Sequence, residues 1–240
     1  MGSTSPRGMV ELRDSIAVEA NSFEASELAG NLPLPLSPGI PRPAEMRRVI
    51  EPLRSEYRLL TIIGLPGMGK SRLAVESAHM FEEDFYDRAW FVPLDRLQYN
   101  QRVSDLIAEK LGVRRRSHEL ALAALTRFLR GKQVLLVLDD CESVVVEVAE
   151  TVKEIFGASE HVRVIATSRQ PLGIADEKLV RLGGLESPNF AIPLDLDAIG
   201  AFPSVQLFLK RTFARVEKFE WNILSARKVA QITSLGVCRE

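Results

Sequence analysis

A glycine-rich segment at residues 64–71 limits the possible folds more than any other feature of this 240-residue chain. The segment fits the phosphate-binding pattern G-x-x-x-x-G-K-[ST]. It reads Gly64-Leu65-Pro66-Gly67-Met68-Gly69-Lys70-Ser71. The apolar run at 59–63 predicts a buried strand before it, and residues 72–78 predict a helix after it. Because this pattern binds phosphate where it joins a strand to a helix, we expect an α/β fold with a phosphate site at this loop.

The chemistry expected at the loop follows from its residue types. Glycines allow the loop to wrap, so that successive backbone N–H groups point at phosphate oxygens. The helix that follows adds its unpaired N–H groups and the positive end of its dipole. Lys70 would bridge the β- and γ-phosphates of a nucleotide, and the Ser71 hydroxyl would bind Mg²⁺.

Composition excludes several other functions. The net charge is −1, so there is no overall electrostatic case for nucleic-acid binding. The one dense basic patch, 114–116, fits either a solvated loop or a contact with phosphate or a partner. Cys141 and Cys238 have no metal or disulfide spacing, which indicates the reducing cytosol, and no apolar run reaches the roughly 18 residues of a membrane helix. We expect a cytoplasmic protein without a membrane segment.

Continuous apolar runs alternate with helical patterns from residue 44 onward. Strands are predicted at 59–63, 88–94, 133–140, 161–167 and 178–182, and helices at 44–53, 72–78, 103–112, 118–130 and 143–156. This alternation indicates a parallel sheet with helices on both faces, a three-layer sandwich. Ligands bind such sheets at the carboxyl ends of the strands, where the glycine loop also lies.

Four regions follow from this pattern. Residues 1–43 are predicted to be an irregular arm or linker that ends in a proline-rich stretch, with a short helix near 26–28. Residues 44–182 form the nucleotide-binding domain and 183–202 a connection. Residues 203–240 begin a helical lid domain, with helices at 203–213 and from about 224 to the end of the chain.

Three charged residues follow the later strands. Asp139 ends a wholly apolar strand and is the candidate Walker B carboxylate, which binds Mg²⁺ directly or through water. Two roles fit Asp140: it orients or activates the attacking water, or it caps the next helix. Two roles also fit Arg169, a planar contact to the γ-phosphate or a surface position.

Five segments of the chain resemble the ATPase module of bacterial STAND regulators, which include NB-ARC-related, LuxR-type and antibiotic-regulator-type proteins. The segments are 31–36, 63–74, 89–92, 135–142 and 164–174, and Thr167-Ser168-Arg169-Gln170-Pro171-Leu172-Gly173 is the most distinctive part. The resemblance implies binding of ATP or ADP with Mg²⁺, slow hydrolysis, and a switch between a closed ADP state and an open ATP state. It also implies control of a DNA-binding or effector domain, through oligomerisation.

The resemblance extends the list of candidate nucleotide contacts. The family's Gly-Arg-Glu is replaced by Pro41-Arg42-Pro43, so Arg42 is the candidate for the adenine-side contact, and Arg72 adjoins the loop. The family often has Asp-Asn at 139–140, and the second carboxylate here favours hydrolysis. The family's Gly-Leu-Pro-Leu-Ala motif would follow residue 240, so the lid is expected to be incomplete in this chain.

Two other functions compete with a signalling ATPase. A non-hydrolysing nucleotide-binding scaffold is compatible with an incomplete lid. A small-molecule phosphotransferase would need an arginine-rich acceptor lid, whereas residues 100–132 have the pattern of ordinary amphipathic helices. We therefore expect a nucleotide-dependent regulatory ATPase that controls an attached or partner effector outside this chain, in transcriptional regulation.

Overall fold

The structure is a computed structural model, and it describes residues 30–34, 39–81, 84–85, 88–189 and 194–234. Its centre is a five-stranded sheet in the order β2-β3-β4-β1-β5, and every pairing is parallel. The strands are β1 (Leu59–Ile63), β2 (Ala89–Pro93), β3 (Leu135–Asp139), β4 (Arg163–Ser168) and β5 (Glu177–Arg181). The prediction of a parallel sheet is confirmed, and all five predicted strands are present within one or two residues.

Helices cover both faces of the sheet. They are α1 (Pro43–Ser55), α2 (Lys70–Phe81), α3 (Val103–Lys110), α4 (Ala121–Leu129) and α5 (Val145–Ala158), with short 3₁₀ helices at Leu94–Arg96 and Cys141–Ser143. The central strand β3 shows why two layers form, because Leu135 and Val137 pack with α1 and α2 while Leu136 and Leu138 pack with α3, α4 and α5. The expected three-layer sandwich is confirmed.

A smaller helical unit follows the sheet. It consists of α6 (Leu196–Ala201), α7 (Pro203–Phe213) and α8 (Ile223–Ser234), which share a separate apolar cluster around Val205 and Val229. Helix α6 lies where only a connection was expected. It spans six residues, too few for a helical period to be visible, and it is held by the Asp195 carboxylate, which accepts the Ala198 N–H at 2.8 Å.

Some sequence-based expectations fall outside the described residues. They are the short helix near 26–28 and the continuation of the last helix over 235–240. In the arm, 30–34 and 39–42 form neither helix nor strand. The Asn31 amide donates to the Phe91 carbonyl at 3.0 Å and accepts the Phe91 N–H at 2.6 Å, which places this part of the arm against the edge strand β2. The four-region division of the chain stays a prediction.

No helix in the described ranges is both long enough and apolar enough to cross a bilayer.

Gly64 connects the first strand to the glycine loop at a position without space for a side chain. A Cβ atom there would lie 2.7 Å from the backbone carbonyl oxygen of Leu182, which cannot rotate away. We predict that Gly64→Ala lowers the free energy of unfolding by about 1–3 kcal/mol, the usual cost of overpacking. Urea denaturation of both proteins measures the difference.

Gly157→Ala is the matched control, because a Cβ at this helical position would meet nothing within 4 Å. We expect it to leave stability unchanged or to raise it by about 0.4–1 kcal/mol. Equal stability of wild type and Gly64→Ala would contradict the close approach of the loop to residue 182.

Candidate functional site

The glycine loop has the backbone conformation that a phosphate cradle requires. Gly67 has a φ of 74° and Gly69 a φ of 83°, values in the left-handed region that favours glycine. Helix α2 begins at Lys70, directly after these turns, so its first N–H groups lie at the loop. Lys70 is buried, and its ammonium group donates to the Leu65 carbonyl at 3.3 Å. The loop therefore folds around its own lysine.

A buried arginine at the start of α1, Arg42, is hydrogen-bonded to the glycine loop. The Arg42 guanidinium donates from Nη1 to the Gly183 carbonyl at 3.0 Å and from Nη2 to the Met68 carbonyl at 3.3 Å. It also lies 3.6 Å from the Glu45 carboxylate. Arg42 thus joins the loop to the segment after β5 through two hydrogen bonds to backbone carbonyls.

The two aspartates at the end of β3 have different environments. Asp139 is buried, and its Oδ1 accepts a 2.6 Å hydrogen bond from the Thr167 hydroxyl. Asp140 is half-buried, and its backbone has a left-handed conformation with φ 57° and ψ 54°. Among the described residues its side chain caps no helix, although it precedes the Cys141–Ser143 turn. The capping alternative for Asp140 therefore has no hydrogen bond to support it.

Charge and burial act together on Asp140. Its pKa is raised above the ordinary aspartate value, first because burial removes water from the carboxylate and then because Asp139 and Glu142 are negative nearby. Lys70 acts in the opposite direction and lowers this pKa. A carboxylate with a raised pKa is a better proton acceptor than an ordinary one.

Arg169 follows β4 and is exposed. Its Nε donates to Glu142 Oε1 at 2.8 Å, which forms an ion pair across the ends of β3 and β4. The side chain is 59% exposed, so the pair is screened by water and can exchange partners readily. A phosphate at this edge of the sheet could compete with Glu142 for the guanidinium.

A single cleft of about 1220 Å³ connects these groups. Six basic and three acidic side chains line it, although the whole chain has a net charge of −1. They are Lys70, Arg72, Arg169, Lys210, Arg211 and Arg215, with Asp95, Asp140 and Glu142. The excess of cations suits an anionic ligand, and the apolar side chains of Val75 and Phe91 line another part of the cleft.

The structure brings most of the predicted site residues together. Those that line the cleft are Pro66, Gly67, Gly69, Lys70, Ser71, Arg72, Asp140 and Arg169. Gly64, Leu65, Met68, Arg42 and Asp139 adjoin it and are not part of its described lining. The roles assigned to all of these residues stay predictions.

Several lining residues had no signal in the sequence. Glu142 lies two residues after Asp140, and no motif indicates a role for it. Three cations of the helical unit lie 140 or more residues after Lys70 in the chain. They are Lys210, Arg211 and Arg215, from α7 and the turn after it. Only the folded chain brings them to the cleft that Lys70 also lines.

The residues present suit Mg²⁺ that arrives with a phosphate ligand. Mg²⁺ prefers oxygen donors and usually takes one or two from protein, with water and phosphate completing the shell. The Ser71 hydroxyl and the Asp139 carboxylate are such donors. The described residues hold no group of three or more histidine, cysteine or acidic side chains that could bind a metal alone. This pair of donors therefore fits the ion.

The NB-ARC domain family matches residues 42–179, which include the loop, both aspartates and Arg169. The chain belongs to the NB-ARC domain family. Its glycine loop and parallel sheet are those of a P-loop module, as its motifs indicated.

Curated relatives share the same core. One is a protein of Mycobacterium tuberculosis that carries the provisional name of an HTH-type transcriptional regulator. It is 32% identical over 145 residues, which are 60% of this chain and 16% of the relative. An uncharacterized protein of the same organism is 31% identical over 156 residues, 65% of this chain and 39% of its own. The chain thus spans well under half the length of either protein.

A solved structure shares the fold. It is a signal transduction ATPase with numerous domains, a STAND protein with a tetratricopeptide repeat sensor, from Pyrococcus horikoshii. The TM-score is 0.51 at 13% identity, and the match covers 89% of this chain and 30% of that chain. At this identity the likeness concerns the fold alone.

The bracing role of Arg42 can be tested without a ligand. Lysine retains the charge but cannot bridge two carbonyl groups with a planar fork. We predict that Arg42→Lys lowers the free energy of unfolding by about 1.5–3 kcal/mol, the usual value of charged hydrogen bonds.

The matched control is Arg47→Lys, an exposed position on the same helix, where we expect no measurable change. Thermal and urea unfolding of the three proteins make the comparison. An equal loss of unfolding free energy in Arg47→Lys and Arg42→Lys would contradict the bracing role of Arg42.

Proposed function

We propose that this module binds ATP and ADP with Mg²⁺, hydrolyses ATP slowly, and acts as a nucleotide-dependent switch in signal transduction. The observation that carries this proposal is one cleft in which the loop lysine Lys70, Asp140 and Arg169 line the wall, with Asp139 buried beside them. These groups come from the ends of β3 and β4 and from the loop after β1, which are neighbours in the sheet.

Nucleotide binding would use the loop and the cations around it. Backbone N–H groups of 67–71 would donate to phosphate oxygens, and the Lys70 ammonium would exchange the Leu65 carbonyl for the β- and γ-phosphates. Arg72 contributes further positive charge at the cleft, and Arg42 braces the loop through the Met68 carbonyl. An adenine contact by Arg42 remains part of the proposal.

Hydrolysis would depend on the two aspartates and Arg169. Ser71 and Asp139 would hold Mg²⁺, which neutralises charge on the phosphates when bound. Asp140 would orient and deprotonate the attacking water, as its raised pKa allows. Arg169 would leave Glu142 for the γ-phosphate, where its charge stabilises the transferring group.

The regulatory part of the proposal rests on the relatives. One of them is named as a transcriptional regulator, and this chain spans 16% of it. We infer that the module controls an effector outside the described residues, through nucleotide-dependent assembly, and that residues 183–202 connect the 44–182 domain to a helical lid at 203–240. Cytoplasmic location is supported by the buried free thiol of Cys141.

Lys70→Ala tests nucleotide binding. We predict that the substitution abolishes measurable binding of ADP or ATP in calorimetry, because the only cation inside the loop is lost. Lys153→Ala, on the exposed face of α5, is the control and should bind as wild type does. Unchanged affinity in Lys70→Ala would show that nucleotide binds elsewhere or not at all.

Asp140→Asn tests hydrolysis. In single-turnover assays with Mg²⁺ we expect the rate of phosphate release to fall by about 10²-fold or more, since asparagine cannot accept the proton.

The outcome also separates the competing functions. No phosphate release by the wild type would exclude hydrolysis and leave a nucleotide-binding scaffold. Phosphorylation of an added small molecule would exclude the switch. An Asp140→Asn rate equal to that of wild type would exclude Asp140 as the base.

A further inference from the structure

The hydroxyl group of Thr167 lies between the two aspartates at the end of β3. Thr167 is the second-to-last residue of β4 and is completely buried. Its Oγ1 donates to Asp139 Oδ1 at 2.6 Å and accepts the backbone N–H of Asp140 at 3.0 Å. One hydroxyl therefore contacts both residues to which the proposed function assigns carboxylate chemistry.

We propose that Thr167 is a positioning residue that sets the orientation of the metal-binding carboxylate and the backbone of the water-activating residue together. The proposal rests on the proposed function, because it concerns Mg²⁺ and nucleotide at the same cleft. Thr167 touches neither ligand in this role. It acts through Asp139 and Asp140.

The hydrogen bond from Thr167 to Asp139 sets the orientation of the Asp139 carboxylate. A hydroxyl-to-carboxylate bond of 2.6 Å has the length of a charge-assisted hydrogen bond, and both groups are buried, so water competes little for it. The bond occupies Oδ1 and fixes the rotation of the carboxylate about its bond to Cβ. The second oxygen is thereby held in one direction, as a metal ligand needs.

The hydrogen bond from the Asp140 N–H to Thr167 sets the backbone conformation of Asp140. Asp140 has left-handed φ and ψ angles of 57° and 54°, a conformation that is unfavourable for a residue with a Cβ atom. Its N–H donates to Thr167, which compensates part of this strain and fixes where the chain turns into the Cys141–Ser143 helix. The turn determines that the Asp140 side chain lines the cleft.

Sheet register makes the arrangement possible. Leu138 of β3 pairs with Ala166 of β4, and the next residue on each strand is Asp139 and Thr167. A threonine at this position reaches both backbone and side chain of the neighbouring strand end. Loss of its hydroxyl should affect metal affinity, while the phosphate contacts of the loop stay in place.

The experiment compares Thr167→Val, which has nearly the same shape without the hydroxyl, with Thr167→Ser, which retains the hydroxyl. Thr61→Val is the matched control, because Thr61 is equally buried on the neighbouring strand β1 and its hydroxyl has no hydrogen-bond partner among the described residues. The first readout is the Mn²⁺ affinity of the ADP complex, measured by electron paramagnetic resonance. The second is ADP affinity in EDTA, measured by calorimetry.

We expect Thr167→Val to weaken Mn²⁺ binding by about 10–100-fold, as loss of an outer-sphere partner usually does. ADP affinity in EDTA should stay within about twofold of wild type, because the phosphate contacts of the loop are intact. Thr167→Ser should restore most of the Mn²⁺ affinity, and Thr61→Val should match wild type. If Thr167→Val does not fold, Thr167→Ala provides a second variant without the hydroxyl, with the same expected loss.

Two results would overturn the inference alone. One is wild-type Mn²⁺ affinity in a folded variant that lacks the Thr167 hydroxyl. The other is a folded Thr167→Ser protein that binds Mn²⁺ as poorly as Thr167→Val. A wild-type protein that binds no ADP in either condition would overturn the proposed function and this inference with it.

Discussion

Parallel pairing of β4 with β3 on one side and β1 on the other is the constraint on which the site depends. It brings the carboxyl ends of three strands to one edge, with Ile63 opposite Ser168 and Leu138 opposite Ala166. The residues that follow these ends are the glycine loop, the aspartate pair and Arg169. A change of register by one residue would turn each of these side chains to the other face of the sheet.

Hydrogen bonds from neighbouring segments stabilise the unusual backbone conformations at the site. Gly67 and Gly69 take left-handed angles at little cost, whereas Asp140 takes them with a side chain present. Arg42 holds the loop through the Met68 carbonyl, and Thr167 holds the Asp140 N–H. Contacts within the protein therefore support both the phosphate cradle and the acidic edge.

Much of this arrangement could be predicted from the sequence. Apolar runs located β1 to β4, because strands buried on both faces show no polar alternation, and the loop pattern located the phosphate site. The edge strand β5 mixes charged and apolar residues, and only its Val180 is buried. Asp139 was recognisable because it directly follows such a run. These features depend on residues that are close together in the chain.

The remaining features depend on contacts between distant segments. The order of the strands arises from pairing across the whole sheet, and no local pattern determines it. The two backbone carbonyls that the Arg42 guanidinium contacts belong to residues 26 and 141 positions away, and no local pattern indicated them. The cations of α7 reach the cleft only because that helix packs beside it, and α6 was missed because it is too short to show a period.

The central claim is that the backbone amides of the glycine loop bind the phosphates of a nucleotide. Hydrogen–deuterium exchange of peptides that cover residues 64–72, with and without saturating ADP and Mg²⁺, tests it most directly. We predict that exchange in this segment slows when ADP is bound, while exchange in the exposed turn at 114–118 does not change. Bound ADP with unchanged exchange at 64–72 would contradict the claim.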